Sequence, residues 1–509
     1  MKNIRSWFSN QKQTDLLIPV LLYSLFVGVS TTLGFDSFNL SWSLWQLLDK
    51  QALMHDPLRS LFLLHAQPPF FNYLTAVILR SSSIFGGSPG HWAYGFFILL
   101  GLVTSVLFYK TLRSLTGSQL TAALGVALYF LNPSTWYFSH TYFYPFLLSS
   151  FLIILLHLAE RFLHSTQHQD MYLLGVAATL ALIINTRALY HPIWGLAIFG
   201  LLVGWRLLYK NTDRKINKPA LIGITALLIV FLFLWPLKNL LLFDQFTFST
   251  WTGFNLTRRT NTASKKIEDF WFDGYVPDSV SRKLEAFKKE HHVKDVQVLE
   301  EITKTNGGGN WNHFLFVVVN KELTQKGIQY RFQHTTWWRN MSFSHYLRWS
   351  QPGFVNPYTQ ETLGPDQPVY QKLTSKIKSS LFYDLRSQIT QLGPRAKYWM
   401  ERTIIEEDNE PVSFSIFGLF LFPFFLTTSS VLILSTFLNG NTRRGILYLT
   451  ALWTILWVLV IPCLTDGFES NRMRYAVYPY MILFLTLMVA GRDRSDGKNQ
   501  TGQKEKEDS

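Results

Sequence analysis

Residues able to do acid–base or anion chemistry recur in this chain beside long apolar runs. Asp36 stands just past the first run, in Gly34-Phe35-Asp36-Ser37-Phe38. Later come His65-Ala66-Gln67-Pro68-Pro69-Phe70-Phe71-Asn72-Tyr73, then Asn132, Pro133, His140 and Tyr144, then Arg187, Tyr190 and His191. Lys238 and Asn239 close a seventh run, and Glu469, Arg472 and Arg474 precede the last. A carboxylate that takes a proton from an attacking hydroxyl is worth roughly 100- to 10,000-fold as a general base. Cations beside a leaving phosphate stabilise charge where it develops. If these groups face one cavity, the substrate it suits is an anion.

The elements that must position them are apolar helices. The chain has 509 residues, 48% of them hydrophobic, 16% aromatic and only 16% charged, whereas a soluble domain carries charge on about a quarter. A run of about twenty apolar residues crosses the hydrocarbon core as a helix that satisfies its own backbone. Such runs extend over Leu16–Leu33, Trp92–Leu112, Leu120–Leu131, Tyr142–Leu158, Tyr172–Ile184, Pro192–Leu208, Leu221–Leu237, Phe414–Leu438, Ile446–Leu464 and Ala476–Ala490. The expectation is therefore an all-α polytopic membrane protein with about ten or more transmembrane helices. The formal net charge of +14 raises nucleic acid as a partner, but the cations are not gathered on an aromatic-studded soluble module. Many lie in short loops of one parity: Lys110 and Arg113, Arg161, Arg206 to Lys218, Arg443 and Arg444, and the tail from Arg492. That asymmetry predicts a cytoplasmic N-terminus in a plasma (inner) membrane, with the chemistry-bearing residues on the opposite face and no role for nucleic acid.

This divides the chain into an N-terminal transmembrane region, 1–237, whose first outer loop is 35–91, an extracytoplasmic domain, 238–411, a C-terminal transmembrane region, 412–491, and a charged, disordered cytoplasmic tail, 492–509. In the first outer loop, Leu58–Ile84 is semi-apolar, is broken by Pro68 and Pro69, and suits helices lying along the interface. The extracytoplasmic domain reads as mainly α or α/β. Ser281–Glu290 and Gln371–Arg402 are helical, Gly307–Gly309 forms a turn, and Phe314–Val319 fits strand or helix. With Cys463 as the single cysteine, an intramolecular disulfide and a cysteine-based zinc site are excluded.

Asp36 followed some thirty residues later by the His-Ala-Gln-Pro-Pro-aromatic segment resembles the C-type (GT-C) superfamily of integral membrane glycosyltransferases. The similarity is to its bacterial dolichyl-phosphate-mannose-protein mannosyltransferase-like and aminoarabinose-transferase-like members. Two further segments fit: Trp235-Pro236-Leu237-Lys238-Asn239 followed by Phe248-Ser249-Thr250-Trp251-Thr252-Gly253-Phe254-Asn255, and Glu469-Ser470-Asn471-Arg472-Met473-Arg474-Tyr475-Ala476-Val477-Tyr478-Pro479. Where the family usually has an Asp-Glu pair, Ser37 follows Asp36 here. The resemblance implies a GT-C-like helical bundle that moves a sugar, with inversion, from a polyprenyl-phosphate-linked donor to an extracytoplasmic acceptor. That acceptor is a glycan, a lipid or a protein. Asp36 would be the general base. His65, Gln67, Arg187, His191, Lys238, Asn239, Glu469, Arg472 and Arg474 would contact substrate, the cations the carrier phosphate.

Each of these residues also has a plainer reading. Asp36 can mark the membrane boundary, Asp49 and Asp56 are competing carboxylates in the same loop, and His65 can be a structural hydrogen-bonding group. Arg187 and Lys238 can snorkel to the interface. One of Arg472 and Arg474 can pair with Glu469. No compact ligand spacing assigns a metal or other cofactor, so a divalent ion is left open. The rival function is a lipid or solute transporter, or a non-catalytic cell-envelope assembly protein. A transporter, however, places ionisable groups near mid-bilayer, and these spans carry almost none there.

Overall fold

The structure, a computed structural model, describes residues 11–32, 46–165, 167–208, 217–257, 267, 269–270, 273–293, 296–350, 422–465 and 473–490. These residues form helices joined by turns and short loops, and Thr303 pairs with Gly309 in an isolated bridge at the Gly307 turn. The first region comprises α1 (Gln11–Thr32), α2 (Lys50–His55), α3 (Pro57–Phe62), α4 (Phe70–Phe85), α5 (Pro89–Thr116), α6 (Gln119–Leu131) and α7 (Pro133–Ser139). It continues through α8 (Tyr144–His164), α9 (Gln169–Thr186), α10 (Pro192–Leu208) and α11 (Lys218–Phe243). The intervening segment supplies α12 (Thr252–Thr257), α13 (Asp278–Glu290), α14 (Gln297–Glu300), α15 (Phe314–Gln333) and α16 (Thr335–Ser350). Last come α17 (Phe422–Leu438), α18 (Thr442–Thr465) and α19 (Met473–Ala490).

Six helices, α5, α8, α9, α11, α18 and α19, are long and apolar enough to cross a membrane, and α1, α6, α10 and α17 contain shorter apolar stretches. All ten fall on the runs read from the sequence. Their burial separates two physical roles. In α8, 78% of the apolar window is buried, and the helix packs against α5, α9 and α18. In α11 only 28% is buried, leaving Ile222, Val230, Leu234 and Leu241 exposed as a surface for lipid. Helix ends are fixed locally: Ser88 caps α5 through the His91 amide, and Gly117 ends it in the left-handed conformation, φ 73°.

Phe314–Val319 proves to be the first turns of α15, and the expected helix at Ser281–Glu290 begins at Asp278. The stretch Gln371–Arg402 and the tail from Arg492 lie outside the described residues. Within the intervening segment α12 crosses α15 closely. A side chain at Gly253 or Gly327 would run into Asn320 and Leu323 or into Leu256, so only glycine admits the crossing. α16 packs against α18.

Candidate functional site: a clamped loop at the mouth of the bundle

Asp49 and Asp56 open the two short helices of the first long loop. Asp49 caps α2 by accepting the Gln51 and Ala52 amides on Oδ1 at 2.8 and 3.3 Å. Its Oδ2 accepts the Thr305 amide at 2.6 Å and the Thr305 hydroxyl at 2.8 Å. Partial burial pushes this carboxyl up, but the donors from Thr305, Gln51 and Ala52 outweigh it and hold the group below its ordinary value. Asp56 caps α3 through the Arg59 amide at 3.1 Å. Both carboxylates serve as helix caps.

The loop then enters a clamp. His65 is fully buried. Its backbone N–H donates to Asn312 Oδ1 at 2.9 Å, and Nε2 lies 2.9 Å from the Asn312 carbonyl oxygen. A carbonyl only accepts, so Nε2 carries the proton and Nδ1 accepts the Thr250 hydroxyl at 2.7 Å. Burial, with the nearby Lys238 charge second, keeps the ring well below its ordinary pKa and therefore neutral. Asn312 Oδ1 also takes the Ala66 amide at 3.1 Å, and its Nδ2 donates to Leu63 and Val298 carbonyls, each at 3.3 Å. From the other side the Thr250 amide donates to the His65 carbonyl at 3.2 Å, Ser249 Oγ to the Ala66 carbonyl at 2.5 Å, and Lys238 Nζ to the Leu64 carbonyl. Thus the His65 segment and the Phe248–Trp251 segment, far apart in the chain, are hydrogen-bonded to each other.

Beyond the clamp lies the mouth formed by the ends of α9, α10 and α11. Lys238 and Asn239 belong to α11, which continues to Phe243 instead of ending before them. The Lys238 ammonium rests 3.7 Å from the Trp235 ring centroid and 5.2 Å from that of Phe243. Asn239 is fully buried; its Nδ2 donates to the Thr247 carbonyl at 2.8 Å, which fixes Oδ1 on the opposite side as an acceptor, and Oδ1 has no partner among the described residues. Gln67, 5% exposed, likewise leaves Oε1 without one. Arg187 ends α9, is 8% exposed, and lays its guanidinium 4.9 Å from the Tyr144 ring centroid. Tyr144 in turn meets Phe71, in the first turn of α4, edge-on at 6.0 Å. The His191 ring is edge-on to Phe248 at 5.4 Å, and its partial burial lowers its pKa. The neighbouring Tyr190 hydroxyl is buried with no protein partner among the described residues.

Arg474 and His140, also singled out in the sequence, lie in other contacts. Arg474, in the first turn of α19, donates from Nη1 to the Trp349 carbonyl at 2.7 Å and so ties α16 to the last helix. At the end of α1, Ser30 Oγ is 3.2 Å from His140 Nε2. Asp36, Glu469 and Arg472 lie outside the described residues. No group of three His, Cys, Asp or Glu residues suited to a metal occurs among the described ones. The structure therefore brings His65, Gln67, Lys238 and Asn239 together around Thr247–Thr250, with Arg187 and His191 reached through Tyr144–Phe71 and Phe248. Asn312 is the residue sequence reading missed. It lies 247 residues from His65, in a polar stretch without any recognisable motif.

No family model matches the chain, and no curated protein does. Among solved structures it is similar to the archaeal oligosaccharyltransferase AglB from Archaeoglobus fulgidus, in complex with an inhibitory peptide and a dolichol-phosphate. That match has 13% identity over 95% of this chain and 51% of the other, with a TM-score of 0.41. The Archaeoglobus fulgidus oligosaccharyltransferase in the apo form gives 12% identity, 97% and 52% coverage, and a TM-score of 0.39. The chain spans about half the length of these neighbours.

Proposed function

We propose that this protein is a multi-pass membrane glycosyltransferase of the GT-C type. It transfers a sugar, with inversion, from a polyprenyl-phosphate-linked donor to an acceptor on the face that carries the long loops. The observation that carries the reading is the hydrogen bonding of Leu64–Ala66 to Lys238 and Ser249–Thr250. Two of the sequence segments that resemble the superfamily meet in space, and Arg187 is buried at the end of α9.

In this reading Asp36 removes the proton from the acceptor hydroxyl, that oxygen bonds to the anomeric carbon, and the carrier phosphate leaves. Both other carboxylates named in the loop are already committed to capping. Arg187 is the first candidate for the phosphate, because a buried guanidinium offers several donors in low dielectric. Arg472 and Arg474 are further candidates for the carrier phosphate, and Glu469 for a substrate contact. His65 holds the loop, since both its ring nitrogens are engaged by Thr250 and Asn312, and the Lys238 ammonium adds one hydrogen bond to the Leu64 carbonyl.

The test is mass analysis of envelope glycans with and without the protein, then assay of variants in the full chain. Asp36→Asn is expected to reduce transfer by roughly 100- to 10,000-fold with folding and carrier binding intact. Arg187→Ala weakens carrier binding. Near-normal turnover by Asp36→Asn refutes the base assignment, and unaltered glycans refute the activity.

A further inference from the structure

Three buried polar atoms at the mouth have no hydrogen-bond partner among the described residues: Gln67 Oε1, Asn239 Oδ1 and the Tyr190 hydroxyl. Buried polar atoms in folded proteins are paired with few exceptions, and each exception calls for a bound molecule or water. Gln67 and Asn239 border one short segment. Asn239 donates to the Thr247 carbonyl, and Ser249 donates to Ala66, the residue before Gln67. Tyr190 stands apart from that segment, its ring packed edge-on against Trp194 at 4.9 Å. The Asn239 oxygen is an acceptor by geometry, because its amide nitrogen is engaged by a carbonyl. Both amides are neutral. They suit a ligand that brings hydroxyl donors without charge, whereas Arg187 suits a phosphate.

We propose that Gln67 and Asn239 are substrate-specificity residues that accept hydrogen bonds from the hydroxyl groups of the donor's sugar ring. The inference rests on the glycosyltransferase reading and adds to it a division of labour: neutral acceptors recognise the sugar, and the arginine recognises the phosphate. Its consequence is that the two parts of the donor are separable by mutation.

The experiment uses the full chain in lipid nanodiscs and measures binding of farnesyl phosphate and of farnesyl phosphate esterified to glucose, mannose or N-acetylglucosamine. The wild type is expected to favour at least one sugar-bearing carrier over the sugar-free one. Gln67→Leu and Asn239→Leu each lower affinity for that carrier about tenfold, the scale of one neutral hydrogen bond, and leave farnesyl phosphate binding unchanged. Gln67→Met, which keeps the length and apolar volume of the stem, gives the same loss if a leucine variant fails to fold. Arg187→Ala weakens binding of both carriers. Variants that lose both carriers equally, or neither, overturn the proposal; the latter result means that only water satisfies these atoms. A wild type that binds no carrier of either kind refutes the glycosyltransferase reading itself.

Discussion

The clamp and the mouth adjoin each other and follow opposite rules of polar pairing. Around His65 both ring nitrogens, the backbone N–H and the backbone carbonyl are satisfied by Asn312 and Thr250. Two residues further on, Gln67 leaves its oxygen buried and unpartnered, as does Asn239 across the Thr247–Ser249 segment. A fully paired polar network rigidifies, while an unpaired buried acceptor costs free energy until something donates to it. The difference separates residues that build the site from residues left to meet a ligand. The residue types run against chemical expectation: a histidine and a lysine are hydrogen-bonded into the clamp, while two plain amide oxygens have no partner among the described residues.

The contrast is broken most severely by Asn312→Leu. It strips acceptors from the His65 and Ala66 amides and a donor from the Leu63 and Val298 carbonyls, so a loss of about 3–5 kcal/mol from the docking of this loop is expected, several unsatisfied groups together. Hydrogen exchange at residues 63–67 reads it; unchanged exchange would show that the loop is held by packing alone. Acidification is the next largest effect. His65 has a folded pKa below its unfolded value of about 6.5, so the unfolded state binds the proton first and stability falls as pH drops below that value. The loss is roughly 1.4 kcal/mol per pH unit for as long as the folded ring stays neutral. His313, pushed down to about 4 mainly by burial, acts in the same direction. A midpoint for thermal unfolding that does not fall between pH 7 and pH 5 argues against a neutral buried His65.

Asp49→Ala removes a helix cap together with the Thr305 contact and is expected to cost about 1–2 kcal/mol, measured as faster exchange in α2. The mouth supplies the smallest effect and the sharpest contrast. Gln67→Met replaces an unpaired acceptor with an apolar side chain of similar length, so stability is expected to stay within about 0.5 kcal/mol of wild type or to rise. A large destabilisation in the unliganded protein would mean that the Gln67 oxygen is already serving the fold.

The apolar helices and their order were legible in the sequence. The runs Pro192–Leu208 and Leu120–Leu131, for example, coincide with α10 and with all but the first residue of α6. Such signals are local, since a run of apolar side chains must satisfy its own backbone in lipid. The His65–Tyr73 and Phe248–Asn255 segments stood out in the sequence too, but not their contact. The continuation of α11 through Lys238 and Asn239 was hidden because two polar residues imitate the end of a span.

The amino-acid sequence alone determined that this is a chain of apolar helices with its chemistry-bearing residues concentrated at helix ends, because hydrophobic burial and backbone satisfaction act over neighbouring residues. Tertiary structure decided which of those polar residues are used up and which stay open. That choice depends on partners 185 residues away for the Thr250 hydroxyl and 247 for Asn312, and a hydrogen bond's geometry has no periodicity along the chain from which it could be read.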